Sequence, residues 1–126
     1  CSDGLSRLGL VTDLGQATAH VLQHLRGCHA LMLECNHDAT LLSGSSYPEF
    51  LKQRIAGRLG HLSNQQAADI ARAVNHLDLR HVVAAHLSER NNRPALAQAA
   101  LGDALGWLHT AIGVADPLRG TDWVEV

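Results

Sequence analysis

Apolar residues fall into short runs that alternate with longer periodic stretches along the chain. "LSRLGLVT" (Leu5–Thr12) alternates and stops at Asp13 and Gly15, which predicts a strand closed by a turn. "QATAHVLQHLRG" places Thr18, Val21, Leu22 and Leu25 on one stripe with Gly27 as its stop, the pattern of a helix. "HALMLEC" (His29–Cys35) predicts a second strand, and "NHDATLLSGSSYP" a loop rich in turn formers. Pro48 suits the first turn of a helix that runs towards Arg58 and ends at Gly60. Ser63 and Gln66 have capping-box spacing and open "NQQAADIARAVNHL", whose Ala67, Ile70, Ala71 and Val74 share a face. "HVVAAH" (His81–His86) is the third predicted strand. Pro94 begins the last helix, with Leu96, Leu101, Leu105 and Leu108 as its apolar positions, and "TDWVEV" (121–126) is expected to form a final strand.

Strands that alternate with helices favour parallel pairing through helical crossovers, so the fold class expected is α/β. No repeat, low-complexity tract or linker interrupts residues 1–126, which read as a single domain long enough to bury a core. Aromatics are only 3%, so that core has to be aliphatic. A net charge of -2 removes any global basic footprint for nucleic acid. Lys52, the only lysine, shares one predicted helix with Arg54 and Arg58; a phosphate contact and a plain solvated face both fit. Three cysteines without C-x-x-C spacing point to a reducing, cytoplasmic setting, with Cys35 as a small buried residue. No signal peptide or apolar run near 18 residues is present, and no membrane partner is expected. The chain opens "CSDG" without methionine, which suggests a piece of a longer protein.

In an α/β layer, ligands gather beyond the carboxyl ends of the strands. Asp13, Asn36, His37 and His86 stand at those ends, and His61 at the mouth of a helix. Carboxylate and imidazole are donors that zinc and manganese accept. Strand ends are also commonly polar, so spacing alone leaves Asp13 and His86 open between metal ligands and turn residues. His20 and His24 lie at i, i+4 but lack the glutamate of a zinc-protease helix and read as solvated. His29, His76, His81 and His109 read as structural.

"LVTDLG", "LECNHD", "YPEFLKQRIAGRLGHLSNQQAA" and "AHLSERNNRPALA" together resemble the C-terminal half of a metallo-β-lactamase-fold hydrolase, in particular its YycJ (WalJ/VicX) group. The likeness runs from Ser2 to Ala97, and "GHLSN" followed by "AHLSERNN" is its most specific part. A weaker likeness extends to tRNase Z-type phosphodiesterases. The resemblance implies half of an αββα sandwich, with a sheet flanked by helices. It implies that Asp13 bridges two divalent ions (Zn or Mn), that His86 is a further metal ligand, and that His61 is a catalytic group beside the scissile phosphate. His37, Ser88 and Asn91 are the expected substrate contacts, although Ser88 and Asn91 fit a helix-capping role equally well.

That family's H-x-H-x-D-H signature belongs to the other half, and no H-x-H occurs in this chain. The resemblance therefore implies a metal-dependent phosphodiesterase or nuclease of DNA or RNA as the whole protein, with this chain alone inactive and either metal-bound or metal-free. A thioester or lactone hydrolase on the same fold would keep Asp13 and His86 without needing an acid at His61. A non-enzymatic module is the third expectation: a half-sandwich exposes an apolar sheet face, which would form a homodimer.

Overall fold

The computed structural model describes residues 1–126. Four strands form one sheet in the order β1 (Leu8–Val11), β2 (Ala30–Glu34), β3 (His81–Ala85) and β4 (Gly113–Val114), every pair parallel. Parallel neighbours need crossover connections. These are α1 (Ala19–Leu25) between β1 and β2; α2 (Ala39–Gly44), α3 (Glu49–Ala56) and α4 (Asn64–Val74) between β2 and β3; and α5 (Pro94–Leu105) before β4. The α/β architecture expected from the alternation is the one observed, a parallel sheet flanked by helices as in half of an α/β sandwich.

Period-two alternation divides the sheet. Leu31, Leu33, Val82 and Ala84 face α1, α4 and α5 and join Leu25, Ile70, Val74, Leu101 and Leu105 in a continuous aliphatic core. Alanine at positions 67, 71 and 97, each with no exposure, lets the helices approach closely, which fits a chain poor in aromatics. The opposite face carries Leu8, Leu10, Met32 and Val83 and no helix covers it; Leu10 is 61% exposed.

Chain ends of the helices follow local chemistry. The Ser63 hydroxyl accepts from the Gln66 amide while the Gln66 side chain accepts from the Ser63 amide, completing the predicted capping box. Pro94 starts α5 and Gly106, left-handed at φ 71°, stops it.

Three expectations are corrected by the structure. The segment after Asn36 contains α2, because the Asp38 carboxylate accepts from the amides of Thr40 and Leu41 and so nucleates a short helix inside the predicted loop. The last helix does not reach Leu108, which is 78% exposed beyond the left-handed glycine. Residues 121–126 form no strand; the place beside β3 is taken by Gly113–Val114, a run too short to announce itself.

Candidate functional site

The carboxyl ends of β1, β2 and β3 lie side by side, so the residues that leave them emerge together. Asp13 follows β1 and His86 follows β3. They are the only non-glycine residues with left-handed backbone, at φ 57° and 56°. Such a conformation is strained for an L-residue and persists only where the surroundings enforce it; such strain clusters at functional sites. Two close approaches hold these segments. A Cβ on Gly15 would lie 2.3 Å from the Arg58 carbonyl, so only glycine lets the Asp13 loop pass the end of α3. A Cβ on Gly60 would lie 2.1 Å from the Ile55 carbonyl, and the same tight turn delivers His61. The Gln66 side chain, already in the capping box, also donates to the Gly15 carbonyl at 3.4 Å.

At the centre stands Glu34, the last residue of β2, with no exposed surface. Its Oε1 accepts from Nδ1 of His61 at 2.7 Å and from Nδ1 of His86 at 2.8 Å. Its Oε2 accepts from the amide of Leu14 at 2.9 Å. One buried carboxylate thus draws in three segments that are distant in sequence. Burying a carboxylate is costly unless donors surround it, and here they do. The two imidazoles stand edge to face with centroids 5.2 Å apart. Asp13 Oδ1 lies 3.8 Å from His61 Nδ1 and 3.7 Å from His86 Nδ1.

Asp13, Glu34, His61 and His86 can each offer a ligand atom within 4.8 Å of the others. Their chemistry separates the roles. Glu34 already accepts from three N–H donors, which suits it to orient the site. Engagement of Nδ1 on both rings leaves Nε2 of each as the free atom. Asp13 is 71% exposed at its side chain and free to take a cation. A carboxylate and an imidazole are hard and borderline donors, so the set fits a divalent ion such as zinc or manganese, although these two alone fall short of the four ligands a zinc ion commonly takes. A cleft of about 330 Å³ opens onto Asp13 and His86, walled by Thr12, Leu87 and Asp116 among others.

Of the residues singled out from sequence, the structure gathers Asp13, His61 and His86. His37 stands apart from that cluster, paired in parallel register with Ser63 and only 2% exposed. Its Nδ1 is buried with no partner, and burial pushes the imidazole below its ordinary pKa. The Ser88 hydroxyl accepts from the Asn91 amide, and the Asn91 carbonyl accepts from the Asp38 amide, so both shape the loop after β3. The Asn91 side-chain oxygen is buried and unpartnered. His20 and His24 are exposed, as read from their spacing.

Glu34 escaped the sequence reading, as did Asn64 and Asn92. A signal for Glu34 existed: an acid at the end of "ALMLE", within a strand apolar on both faces, has to be paired once it is buried.

No protein-family model matches the chain, and no solved structure matches it significantly. It is similar to the exodeoxyribonuclease YycJ of Bacillus anthracis, 32% identical over 116 residues that make up 92% of this chain and 44% of that protein. It is likewise similar to the exodeoxyribonuclease WalJ of Streptococcus pneumoniae serotype 2, 31% identical over 105 residues, 83% of this chain and 39% of the relative. The chain therefore spans less than half the length of the curated relatives it matches. Its likeness to the YycJ/WalJ exodeoxyribonucleases runs over most of this chain at 31–32% identity and covers only part of each relative.

Proposed function

We propose that this chain carries the C-terminal share of a metal-dependent nuclease centre, and that the whole protein hydrolyses phosphodiester bonds in DNA. The observation that supports this most is the convergence of His61, His86 and the Leu14 amide, next to Asp13, on the single buried carboxylate of Glu34. A structural cluster has no need of two strained backbone residues and two imidazoles with their Nε2 atoms left free. The relatives' names, exodeoxyribonuclease, favour DNA as the substrate class.

Asp13 and His86 would hold divalent ions, together with ligands of the H-x-H-x-D-H kind that this chain lacks. When bound, a pair of such ions lowers the pKa of a coordinated water and offsets charge on the attacked phosphoryl group. The chain's own residues do the rest. In hydrolysis a water gives up a proton to solvent as its oxygen bonds to phosphorus, the bond to the leaving oxygen breaks, and that alkoxide takes up a proton. His61, with Nδ1 fixed by Glu34, presents Nε2 as the general acid for that proton. Glu34 sets the orientation of both imidazoles. His37, Ser88 and Asn91 are the substrate contacts in this reading. The chain by itself is inactive, since it supplies too few ligands. No helix is long and apolar enough to cross a membrane, and three free thiols favour a reducing, cytoplasmic setting.

The test is cleavage of single- and double-stranded DNA and RNA, with Mn²⁺, by the protein carrying the missing ligands, beside Asp13→Ala and His61→Ala. DNA cleavage abolished by both substitutions is the expected result. Metal binding without cleavage of any nucleic acid would overturn the nuclease, and thioester hydrolysis unaffected by His61→Ala would replace it.

A further inference from the structure

A second cleft, of about 240 Å³, opens between α2 and α3, beside the cluster but outside it. His37 lines it, and this ring is the best argument that the cleft is made for a ligand. It is only 2% exposed, and its Nδ1 is buried without a hydrogen-bond partner. Buried polar atoms are nearly always paired, and one that is not calls for an absent partner. His37 also runs alongside the segment that carries His61: the Asn36 amide donates to the Leu62 carbonyl and the Asn64 amide to the His37 carbonyl. The cleft is therefore tied by backbone hydrogen bonds to the segment that carries His61.

The lining describes the occupant. Ala39, Leu42 and Ala56 give apolar surface, while Ser43, Glu49, Lys52 and Gln53 give donors and acceptors of both charges. A phosphate would want cations alone, and Glu49 opposes it; Lys52 is moreover committed to the Ser43 carbonyl at 2.6 Å. A flat group with apolar faces and an edge of mixed donors and acceptors suits the cleft better, and in a nucleic acid that group is the base. Resting on the nuclease reading above, we propose that the α2–α3 cleft seats a nucleobase of the substrate, with His37 hydrogen-bonded to its edge.

The test titrates the chain, without metal, with deoxyadenosine 5′-monophosphate and with 2-deoxyribose 5-phosphate, following the histidine ring resonances by NMR. The nucleotide is expected to shift His37, the base-free sugar phosphate to bind at least tenfold more weakly. Ala56→Phe, which fills the cleft from an exposed position, and Gln53→Ala are each expected to weaken nucleotide binding. Equal binding of the sugar phosphate, or nucleotide binding that leaves His37 unmoved or survives Ala56→Phe, would overturn the proposal. Failure of the nuclease reading shows separately, as absence of DNA cleavage while the nucleotide still shifts His37.

Discussion

The side chains of Asn64 and Asn92 face each other as a reciprocal amide pair: Nδ2 of Asn64 donates to Oδ1 of Asn92 at 2.9 Å, and Nδ2 of Asn92 to Oδ1 of Asn64 at 2.8 Å. Asn92 also donates to the Cys35 carbonyl and accepts from the Arg93 amide. Both asparagines are buried, at 4% and 2% exposure. The pair joins the start of α4, the end of β2 and the start of α5, so it sets the spacing between the segments that carry His61 and His86. Asn92→Ala strands several buried groups at once and is expected to cost about 2–4 kcal/mol, from about 1–3 kcal/mol per orphaned group. Urea denaturation of Asn64→Ala, Asn92→Ala and the double variant checks this. A double variant less destabilised than the sum of the two singles demonstrates the coupling.

Glu34 makes a different kind of prediction, because its contacts are with the site itself. Glu34→Gln keeps the volume but replaces one acceptor oxygen with a donor, so it cannot satisfy Leu14, His61 and His86 together. Loss of a carboxylate that orients metal-binding histidines typically lowers metal affinity by about 10–100-fold. In the protein with its full ligand set, Mn²⁺ titration of Glu34→Gln is expected to show a loss of that size. Unchanged affinity would mean that Glu34 is only structural.

Much of this arrangement was legible in the sequence, and the reasons differ by residue. Asp13 and His86 stand where β-strands give way to turn residues, and the alternation of apolar runs located those ends. His61 was found through its motif. Glu34 was hidden because it closes an apolar run and looks like the polar start of a loop, although its side chain points into the site. The Asn64–Asn92 pair joins positions 28 apart, and nothing local to either asparagine announces the other. Val124 and Val126 have strand propensity, but the place beside β3 is taken by Gly113–Val114. Propensity is local and pairing is not.

Backbone strain at Asp13 sets stability against function. With φ at 57°, any L-residue there carries a penalty of about 1–2 kcal/mol that glycine escapes. Asp13→Gly is therefore expected to be about 1 kcal/mol more stable than Asp13→Ala, since both lose the carboxylate and only one relieves the backbone. Both are expected to abolish metal-dependent activity. Thermal melts of the two variants, beside cleavage assays of the protein with its full ligand set, separate the effects.

Thiol reactivity follows from burial. Cys35 has no exposed surface, and desolvation, with the Glu34 charge adding to it, pushes its thiol up to about 12. Cys28 is 3% exposed, while Cys1 is open to solvent. At pH 8 a disulfide reagent such as Ellman's is expected to modify one thiol quickly in the native chain and all three after denaturation. Cys1→Ser should remove the fast phase; a fast phase that survives it would show that the core opens readily.

The uncovered sheet face leads to the last prediction. Leu8, Leu10, Met32 and Val83 share it by alternation, and Trp123 and Val124 of the C-terminal segment border a cleft over only part of it. A contiguous apolar face of this kind associates with whatever apolar surface is available. In the whole protein the rest of the sandwich would supply that surface. In the 126-residue chain by itself, a second copy is the available partner, and pairing two sheets face to face would restore a layered sandwich with two-fold symmetry. Light scattering at micromolar concentration is expected to give twice the chain mass. Leu10→Lys places a charge at the most exposed of these apolar positions on β1 and should shift the chain to monomer without loss of helical content, because the aliphatic core lies on the other side of the sheet. A wild-type chain that scatters as a monomer would show that the face is stable in water and that no second copy covers it.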